Sequence, residues 1–234
     1  KMQITRKNYD KITNHLIDIS KKASEEVLKI YNSNFDFSKK KDNSPITIAD
    51  EISNNLIIEF LKTNFGETSI ISEENTLNKL NTNNFFLVDP LDGTKEFINK
   101  NGEFTINIAY MEKSRPCLGV IFIPAKNICY FTDGVESFKI ENNKTKKIIC
   151  NENPNNYKIL VSRSHLDDRT RQIIKSFKKE NILERGSSLK VCLIAEAIAD
   201  IYFRFGNTME WDIAAGHAIL KNANGRVADE ENIE

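Results

Sequence analysis

The chain lacks long hydrophobic runs, cysteine motifs and an excess of charge of either sign. No stretch of 18 consecutive apolar residues occurs, which excludes an ordinary transmembrane helix. Its four cysteines show no Cys-x-x-Cys or other metal-ligand spacing, and they are few for a disulfide-stapled secreted protein, so we expect reduced thiols. Thirty-three basic side chains balance 33 acidic ones. The chain therefore lacks the positive excess with which proteins usually bind long nucleic acid or anionic membranes.

Length and composition indicate a folded globular protein. Hydrophobic residues make up 40% of the sequence and charged residues 28%, values that exclude a disordered tail or a fibrous repeat. The 234 residues suffice for one large domain or two lobes. The first seven residues lead into a polar amphipathic stretch instead of the apolar core of a signal peptide. We therefore expect a cytoplasmic protein, free or peripheral at the cytoplasmic face of the membrane, that is a monomer or a homodimer without integral membrane association.

Hydrophobic periodicity predicts two helices followed by a large antiparallel sheet. Apolar residues recur at three- and four-residue steps over residues 8–31, which is typical of a helix with one buried face. Thr47 and Asp50 have the spacing of a capping box, so a second helix is expected to begin there and to end near residues 65–66. Turn residues then separate β-prone runs at 69–72, 85–88, 104–111, 118–123, 128–132 and 135–140.

The polar, lysine- and asparagine-rich residues 141–157 are interpreted as a join between two lobes. Beyond it, strands and helices alternate in the manner of an α/β layer. The expected strands are 159–162 and 201–205, and the expected helices are 168–179, 188–199 and 213–222. We therefore divide the chain into a first lobe of residues 1–150, with helices on a large sheet, and a second lobe of residues 151–234.

The turn after the predicted strand at 85–88 reads Asp-Pro-Leu-Asp-Gly-Thr over residues 89–94. It places Asp89 and Asp92 three residues apart beside a buried strand, where carboxylates are costly unless something neutralises them. Mg²⁺ prefers such oxygen ligands. Gly93 and Thr94 would open a helical turn whose free N–H groups can bind phosphate oxygens. The structural alternative is an ordinary Asp cap and an Asp-Gly turn.

Other acidic residues occur at comparable places. Glu73 and Glu74 follow the predicted strand at 69–72, and Asp212 precedes the last predicted helix. Asp212 could cap that helix or bind a metal ion, and the glutamates could lie in an exposed acidic loop. The residues by themselves leave both interpretations open.

Taken together, the motifs resemble those of the inositol monophosphatase superfamily of metal-dependent phosphomonoesterases. Its signature pairs Asp-Pro-x-Asp-Gly-Thr, here at 89–94, with Trp-Asp-x-Ala-Ala-Gly, here at 211–216. Within the superfamily the chain resembles the bacterial 3′(2′),5′-bisphosphate nucleotidases, above all in the Lys-Glu-Phe triplet at 95–97. The supporting segments are 44–50, 72–74, 101–107, 162–165 and 186–190. The resemblance implies an α+β fold, a layered α-β-α-β-α sandwich of the sugar-phosphatase type.

The resemblance also implies a cluster of two or three Mg²⁺ ions. Its expected ligands are Glu73, Asp89, the Leu91 carbonyl, Asp92 and Asp212, with Asp89 bridging. Thr94 would position the attacking water and Asp50, hydrogen-bonded to the Thr94 hydroxyl, would accept its proton. Helix capping remains the alternative for Asp50. Glu74 is a further candidate at the edge of this cluster.

By the same resemblance a nucleotide lies between the lobes. The expected substrate-binding residues are Gly93, Thr94, Ser162, His165, Ser187, Lys190, Arg204 and Asp212. Lys190 and Arg204 suit a second phosphate group, although single cations are more often solvated at the surface. His165 could instead be a loop residue that bonds its neighbours.

The expected function is Mg²⁺-dependent removal of the 3′-phosphate of adenosine 3′,5′-bisphosphate, which yields AMP and phosphate and disposes of a by-product of sulfate assimilation. The partner would be this small nucleotide bisphosphate and no long nucleic acid. One alternative is an inositol or sugar monophosphatase. The other is a nucleotide-binding sensor without turnover, against which the water-activating pair Asp50 and Thr94 argues.

Overall fold

The computed structural model describes residues 1–40, 45–66, 68–75, 83–231 and 233, so Ser44 of the segment at 44–50 lies outside the described residues. The helices are α1 (Tyr9–Tyr31), α2 (Ile48–Phe65), α3 (Thr94–Ile98), α4 (Asp168–Ile174), α5 (Leu189–Ala195) and α6 (Glu210–Lys221). The strands are β1 (Phe37–Lys39), β2 (Pro45–Thr47), β3 (Ser69–Ser72), β4 (Phe85–Asp92), β5 (Thr105–Glu112), β6 (Arg115–Ile123), β7 (Ile128–Thr132), β8 (Ser137–Glu141), β9 (Lys144–Ile148), β10 (Ile159–Ser162), β11 (Ile182–Arg185) and β12 (Ile201–Tyr202).

A seven-stranded sheet, ordered β3-β4-β5-β6-β7-β8-β9, forms the centre of the molecule. β3 runs parallel to β4, and the other neighbours are antiparallel. The first four residues of β4 are all apolar because successive side chains enter different cores: Phe86 and Val88 pack on one side of the sheet, and Phe85 and Leu87 on the other. Strand β4 is therefore buried on both faces of the sheet, in agreement with the buried strand expected at 85–88.

Helices α1 and α2 cover one face of this sheet. The apolar stripe of α1 is buried, and the hydroxyl of Thr13 on the same helix donates a hydrogen bond to the Thr132 carbonyl, at 3.1 Å. Helix α2 begins as predicted, with Thr47 and Asp50 forming a capping box. Both predicted helices are confirmed because each was specified by local signals, an apolar period and a cap.

Helices α5 and α6 cover the opposite face, and beyond them lies a parallel three-stranded sheet with the order β11-β10-β12. The predicted boundary near residue 150 separates the two sheets, yet α5 and α6 of the second lobe pack on the sheet of the first. Within the described ranges no helix combines the length and apolar character needed to cross a membrane. All four cysteines are free, as expected.

The predicted join at 141–157 was wrong in its first half, because it contains strand β9. Asn142 and Asn143 both have positive φ, 51° and 58°, and connect β8 to β9 in a tight hairpin. Two consecutive left-handed residues are typical of a type I′ turn, whose backbone twist matches that of paired strands. The Asn-Asn pair was the available signal for this hairpin.

Other differences concern the second lobe and the entry to α2. α4 ends at Ile174 and α5 at Ala195, so both are shorter than predicted, and β12 covers only the first two residues of the expected strand. Strands β11, β1 and β2 were missed. β11 is formed by a mixed Ile-Leu-Glu-Arg segment without clear alternation, and its pairing with β10 is a long-range contact that no local pattern encodes.

The lobes meet closely at Gly186. A Cβ atom at this position would lie 2.3 Å from Cγ of Glu96, a side chain of α3 in the first lobe. Gly186→Ala is therefore expected to lower the free energy of unfolding by about 1–3 kcal/mol, the usual cost of overpacking. Urea unfolding would measure this change. An unchanged free energy of unfolding would show that Glu96 and Gly186 can move apart without loss of stability.

Candidate active site

The acidic residues converge because β3 and β4 are parallel neighbours that end side by side. Ser72 pairs with Val88, and the Glu73 amide donates to the Val88 carbonyl at 3.1 Å. Glu73 therefore leaves its strand next to Asp89, and the two carboxyl groups lie close enough to influence each other's pKa. The carboxyl ends of adjacent parallel strands thus bring together acids that are 16 residues apart in sequence.

Asp89 is the most enclosed acid of this group, with 1% of its surface exposed. Burial raises the pKa of Asp89 well above its usual value, and the like charges of Glu73, Asp92 and Asp212 raise it further. Burial also raises the pKa of Glu73, and that of Asp212 to about 6. Four carboxyl groups, from β4, the end of β3 and α6, therefore face one another. A bound cation would offset the repulsion between their negative charges.

Asp212 caps helix α6 and also faces the acidic group. It lies in the first turn of α6, where its Oδ2 accepts hydrogen bonds from the Met209 amide at 3.0 Å and the Thr208 hydroxyl at 3.1 Å. The same carboxyl group faces Asp92 across the lobes, and Asp92 contributes to the raised pKa of Asp212. Helix capping thus fixes the orientation of an acid that belongs to the cluster.

Gly93 and Thr94 lie directly after β4. Gly93 has a φ of 86°, a left-handed conformation that favours glycine, and it turns the chain from the strand into α3. The Thr94 hydroxyl donates to Oδ1 of Asp50 at 3.2 Å and lies 3.4 Å from the Leu91 carbonyl oxygen. The turn therefore places a hydroxyl group between a buried acid and the acidic cluster.

Asp50 caps α2 with one oxygen and contacts Thr94 with the other. Its Oδ2 accepts from the amide and hydroxyl of Thr47, at 2.8 and 2.7 Å, and its Oδ1 accepts from Thr94. Burial raises the pKa of Asp50, although these hydrogen bonds lower it in part. The capping and proton-accepting roles are thus compatible in one side chain, and a buried acid with a raised pKa is the more effective base.

The cations of the second lobe form a separate group. Lys190 is 5% exposed, donates to the Ser187 carbonyl at 2.6 Å and lies over the Tyr202 ring at 5.1 Å, so it is not a solvated surface lysine. Burial lowers the pKa of Lys190. Arg204 donates to the carbonyl groups of His165 and Asn207, at 3.3 and 2.8 Å. The positive charges of Lys190 and Arg204 are therefore held in place beside the cluster of carboxyl groups.

His165 and Ser162 belong to the same wall. The Ser162 hydroxyl oxygen accepts from the His165 amide at 3.1 Å, and Nε2 of His165 lies 3.0 Å from the ammonium group of Lys95. Burial lowers the pKa of His165, and the charges of Lys95 and Arg204 lower it further. A neutral imidazole can accept a hydrogen bond from Lys95. His165 thus bonds its neighbours, which was the alternative to a role in substrate binding.

Most of these groups line one cleft between the lobes, with a volume of about 1410 Å³. Of the predicted site residues, the cleft brings together Glu73, Asp89, Leu91, Asp92, Gly93, Thr94, Ser162, His165, Ser187, Lys190, Arg204 and Asp212. Asp50 lies behind this surface and reaches it through Thr94. The cleft thus has an acidic side, formed by Glu73, Asp89 and Asp92 of the first lobe with Asp212 of the second, and a cationic side that contains Lys190 and Arg204.

The sequence profile of the inositol monophosphatase family matches residues 8–232. The chain belongs to the inositol monophosphatase family. It is 42% identical over 229 residues to the 3′(2′),5′-bisphosphate nucleotidase CysQ of Buchnera aphidicola, covering 96% of this chain and 85% of that protein. Its identity to the protein of the same name from Salmonella typhimurium is 37% over 217 residues, covering 90% of this chain and 87% of that protein.

Solved structures of the inositol monophosphatase family have the same fold. The crystal structure of CysQ from Bacteroides thetaiotaomicron matches with a TM-score of 0.79 and 38% identity, over 91% of this chain and 86% of that one. An inositol monophosphatase from Thermotoga maritima matches with a TM-score of 0.83 and 26% identity, over 96% and 87% of the two chains. The predicted family and its layered fold are confirmed.

Sequence reasoning missed three contributors to this inositol monophosphatase-type site. The amide and hydroxyl of Ser188 donate to Oδ2 of Asp92, at 2.6 and 2.5 Å. Lys40 forms ion pairs with Glu73 and Glu74, at 2.8 and 2.5 Å. The Tyr-Phe-Arg-Phe segment of residues 202–205 supplies three aromatic rings to the cleft. The aromatic spacing was a readable signal, whereas the two polar contacts depend on how distant segments meet.

The residues present fit a hard divalent cation by their chemistry, since the acidic group offers carboxylate oxygens and the Leu91 carbonyl. Among the described residues no three His, Cys, Asp or Glu side chains stand close enough to ligate one ion in this arrangement. In this arrangement Lys40 donates to Glu73, Ser188 donates to Asp92, and Thr208 donates to Asp212.

Proposed function

We propose that the chain is a Mg²⁺-dependent phosphomonoesterase that removes the 3′-phosphate of adenosine 3′,5′-bisphosphate and releases AMP and phosphate. The division of the cleft into an acidic side and a cationic side carries this proposal. A substrate with two phosphate groups can place the reacting one beside the acids and the other beside Lys190 and Arg204. The relatives named as 3′(2′),5′-bisphosphate nucleotidases support the choice of substrate.

We assign the metal to the acidic group, since members of the inositol monophosphatase family are metal-dependent. Glu73, Asp89, Asp92, Asp212 and the Leu91 carbonyl would hold two or three Mg²⁺ ions. When bound, these ions would lower the pKa of a water molecule and offset the charge of the phosphate group. The number of ions, the cytoplasmic location and the state of association stay predictions.

The chain's own contribution to the reaction is the pair Asp50 and Thr94. The Thr94 hydroxyl donates to Asp50, so its oxygen is left to accept a hydrogen bond from the attacking water. Asp50 then accepts the proton that this water gives up, through Thr94. Such a relay has no use in a protein that only binds nucleotides, which argues against the sensor hypothesis.

An assay of phosphate release tests the substrate directly. Adenosine 3′,5′-bisphosphate, an inositol monophosphate and fructose 1,6-bisphosphate would be compared at equal concentration, each with Mg²⁺ and with EDTA. We expect the adenosine bisphosphate to have the highest kcat/KM and all turnover to stop in EDTA. A higher kcat/KM for the inositol phosphate would favour the monophosphatase alternative.

A substitution at Lys190 tests the second phosphate site. Lys190→Met keeps an unbranched side chain and removes the ammonium group that lies over the Tyr202 ring. Loss of a charge-assisted hydrogen bond should raise KM for adenosine 3′,5′-bisphosphate by about 10- to 100-fold. KM for adenosine 3′-monophosphate should barely change. Equal losses on both substrates would show that Lys190 acts on the fold or on the reacting phosphate.

A further inference from the structure

Two buried carboxylates of the first lobe contact the second lobe beside the cleft, and neither has a role in the reaction as described. Glu96 and Glu103 are 3% and 8% exposed. Glu96, the middle residue of the Lys-Glu-Phe triplet, accepts a hydrogen bond from the Ser164 hydroxyl and packs against Gly186. Glu103 accepts a hydrogen bond from the backbone amide of the same glycine. Both acids thus hold one short segment of the second lobe.

Glu103 has the more complete set of partners. Its Oε2 accepts from the Gly186 amide at 2.7 Å. Arg163 donates to both of its oxygens, at 3.2 and 3.1 Å, and Nε of Arg185 lies 3.7 Å from Oε1. A bidentate guanidinium partner and an amide donor compensate a buried carboxylate for its desolvation. The Glu103 side chain is therefore held in one position.

The segment that Glu103 holds leads directly to the cleft. Gly186 is followed by Ser187, which has a positive φ of 48° and whose carbonyl accepts from Lys190. Ser188 comes next and donates its amide and hydroxyl to Asp92. The 186–188 turn is therefore bound to first-lobe acids at both ends, by Glu103 at Gly186 and by Asp92 at Ser188.

We propose that Glu103 is a positioning residue: by holding the 186–188 turn it sets the orientation of Asp92, an expected metal ligand, and of Lys190, an expected phosphate ligand. The substrate part of this inference rests on the proposed function. Without Glu103 the turn loses the hydrogen bond that ties the Gly186 amide to the first lobe, so Mg²⁺ binding and bisphosphate binding both weaken. The Asp50 and Thr94 pair lies on other elements and keeps its geometry.

The test compares Glu103→Ala and Glu103→Gln with a matched control, Glu196→Gln. Glu196 also joins the lobes, since it accepts from Tyr130 of β7 and Lys139 of β8, and its side chain is 12% exposed against 10% for Glu103. It is not among the residues that line the cleft. Each full-length variant is measured for thermal unfolding, Mg²⁺ affinity by calorimetry, and KM and kcat for adenosine 3′,5′-bisphosphate.

We expect Glu103→Ala to raise both the Mg²⁺ dissociation constant and KM by about tenfold, while kcat at saturation changes by less than about threefold. Glu103→Gln keeps an acceptor for the Gly186 amide and should lie between wild type and alanine. Glu196→Gln should lower the unfolding temperature without moving Mg²⁺ affinity or KM. If the Glu103 variants lose thermal stability but keep both constants, the residue is merely structural and the proposal fails.

The outcomes separate this inference from the proposed function. If the wild-type protein does not hydrolyse adenosine 3′,5′-bisphosphate, the proposed function fails, and Mg²⁺ calorimetry on the same variants still decides whether Glu103 positions Asp92. An unchanged Mg²⁺ affinity in Glu103→Ala would overturn the positioning role whatever the substrate is.

Discussion

Asp89→Asn is expected to abolish phosphate release while the chain stays folded. Asp89 is enclosed at the end of β4 and faces Glu73, Asp92 and Asp212, so its charge is unfavourable without a cation and its loss should not weaken the metal-free fold. Without the central acid, the remaining carboxylates lack the group around which Mg²⁺ would be held. The measurement is phosphate release from adenosine 3′,5′-bisphosphate in saturating Mg²⁺.

Thermal unfolding with and without Mg²⁺ provides the control. Wild type should gain about 2.7 kcal/mol of stability at a Mg²⁺ concentration 100 times the dissociation constant, and Asp89→Asn should gain almost none. Asp168→Asn, which changes a fully exposed carboxylate at the start of α4, should behave like wild type in both assays. Full activity of Asp89→Asn, or of wild type in EDTA, would refute the metal-dependent mechanism.

Thr94→Ala is expected to lower kcat by roughly 10²–10⁴, the range typical of a lost general base, with a smaller change in KM. The substitution removes the hydroxyl that connects the acidic cluster to Asp50. Thr94→Ser keeps a hydroxyl group at this position and should restore most of the activity. Equal loss in the serine variant would mean that the methyl group, and therefore packing, is what matters at this position.

Asp50→Asn separates proton transfer from helix capping. Asparagine still offers an oxygen to Thr47 but cannot take up a proton at the Thr94 side, so kcat should fall as in Thr94→Ala. A role in capping alone predicts a loss of about 1 kcal/mol in stability and a near-normal kcat. Measuring the unfolding free energy and kcat on the same preparation distinguishes these results.

The sequence by itself determined the features that depend on neighbours along the chain. The period of α1, the Thr47 cap of α2 and the apolar run of β4 are local signals, and the structure has all three. The acids at the ends of β3 and β4 were readable for the same reason. So were the two motifs that revealed the family, since each is a short run of consecutive residues.

Tertiary structure alone decided which of these groups meet and what surrounds them. Asp212 reaches Asp92 because α6 packs on the large sheet, and Lys190 became a buried cation because Tyr202 and the 186–188 turn enclose it. Strand β11 exists because β10 offers it a partner. The segment of Glu103 supported the family resemblance but did not indicate its contacts with Arg163 and Gly186, which lie far away in sequence. Burial, strand pairing and charge proximity arise from residues far apart in sequence, and a local pattern does not contain them.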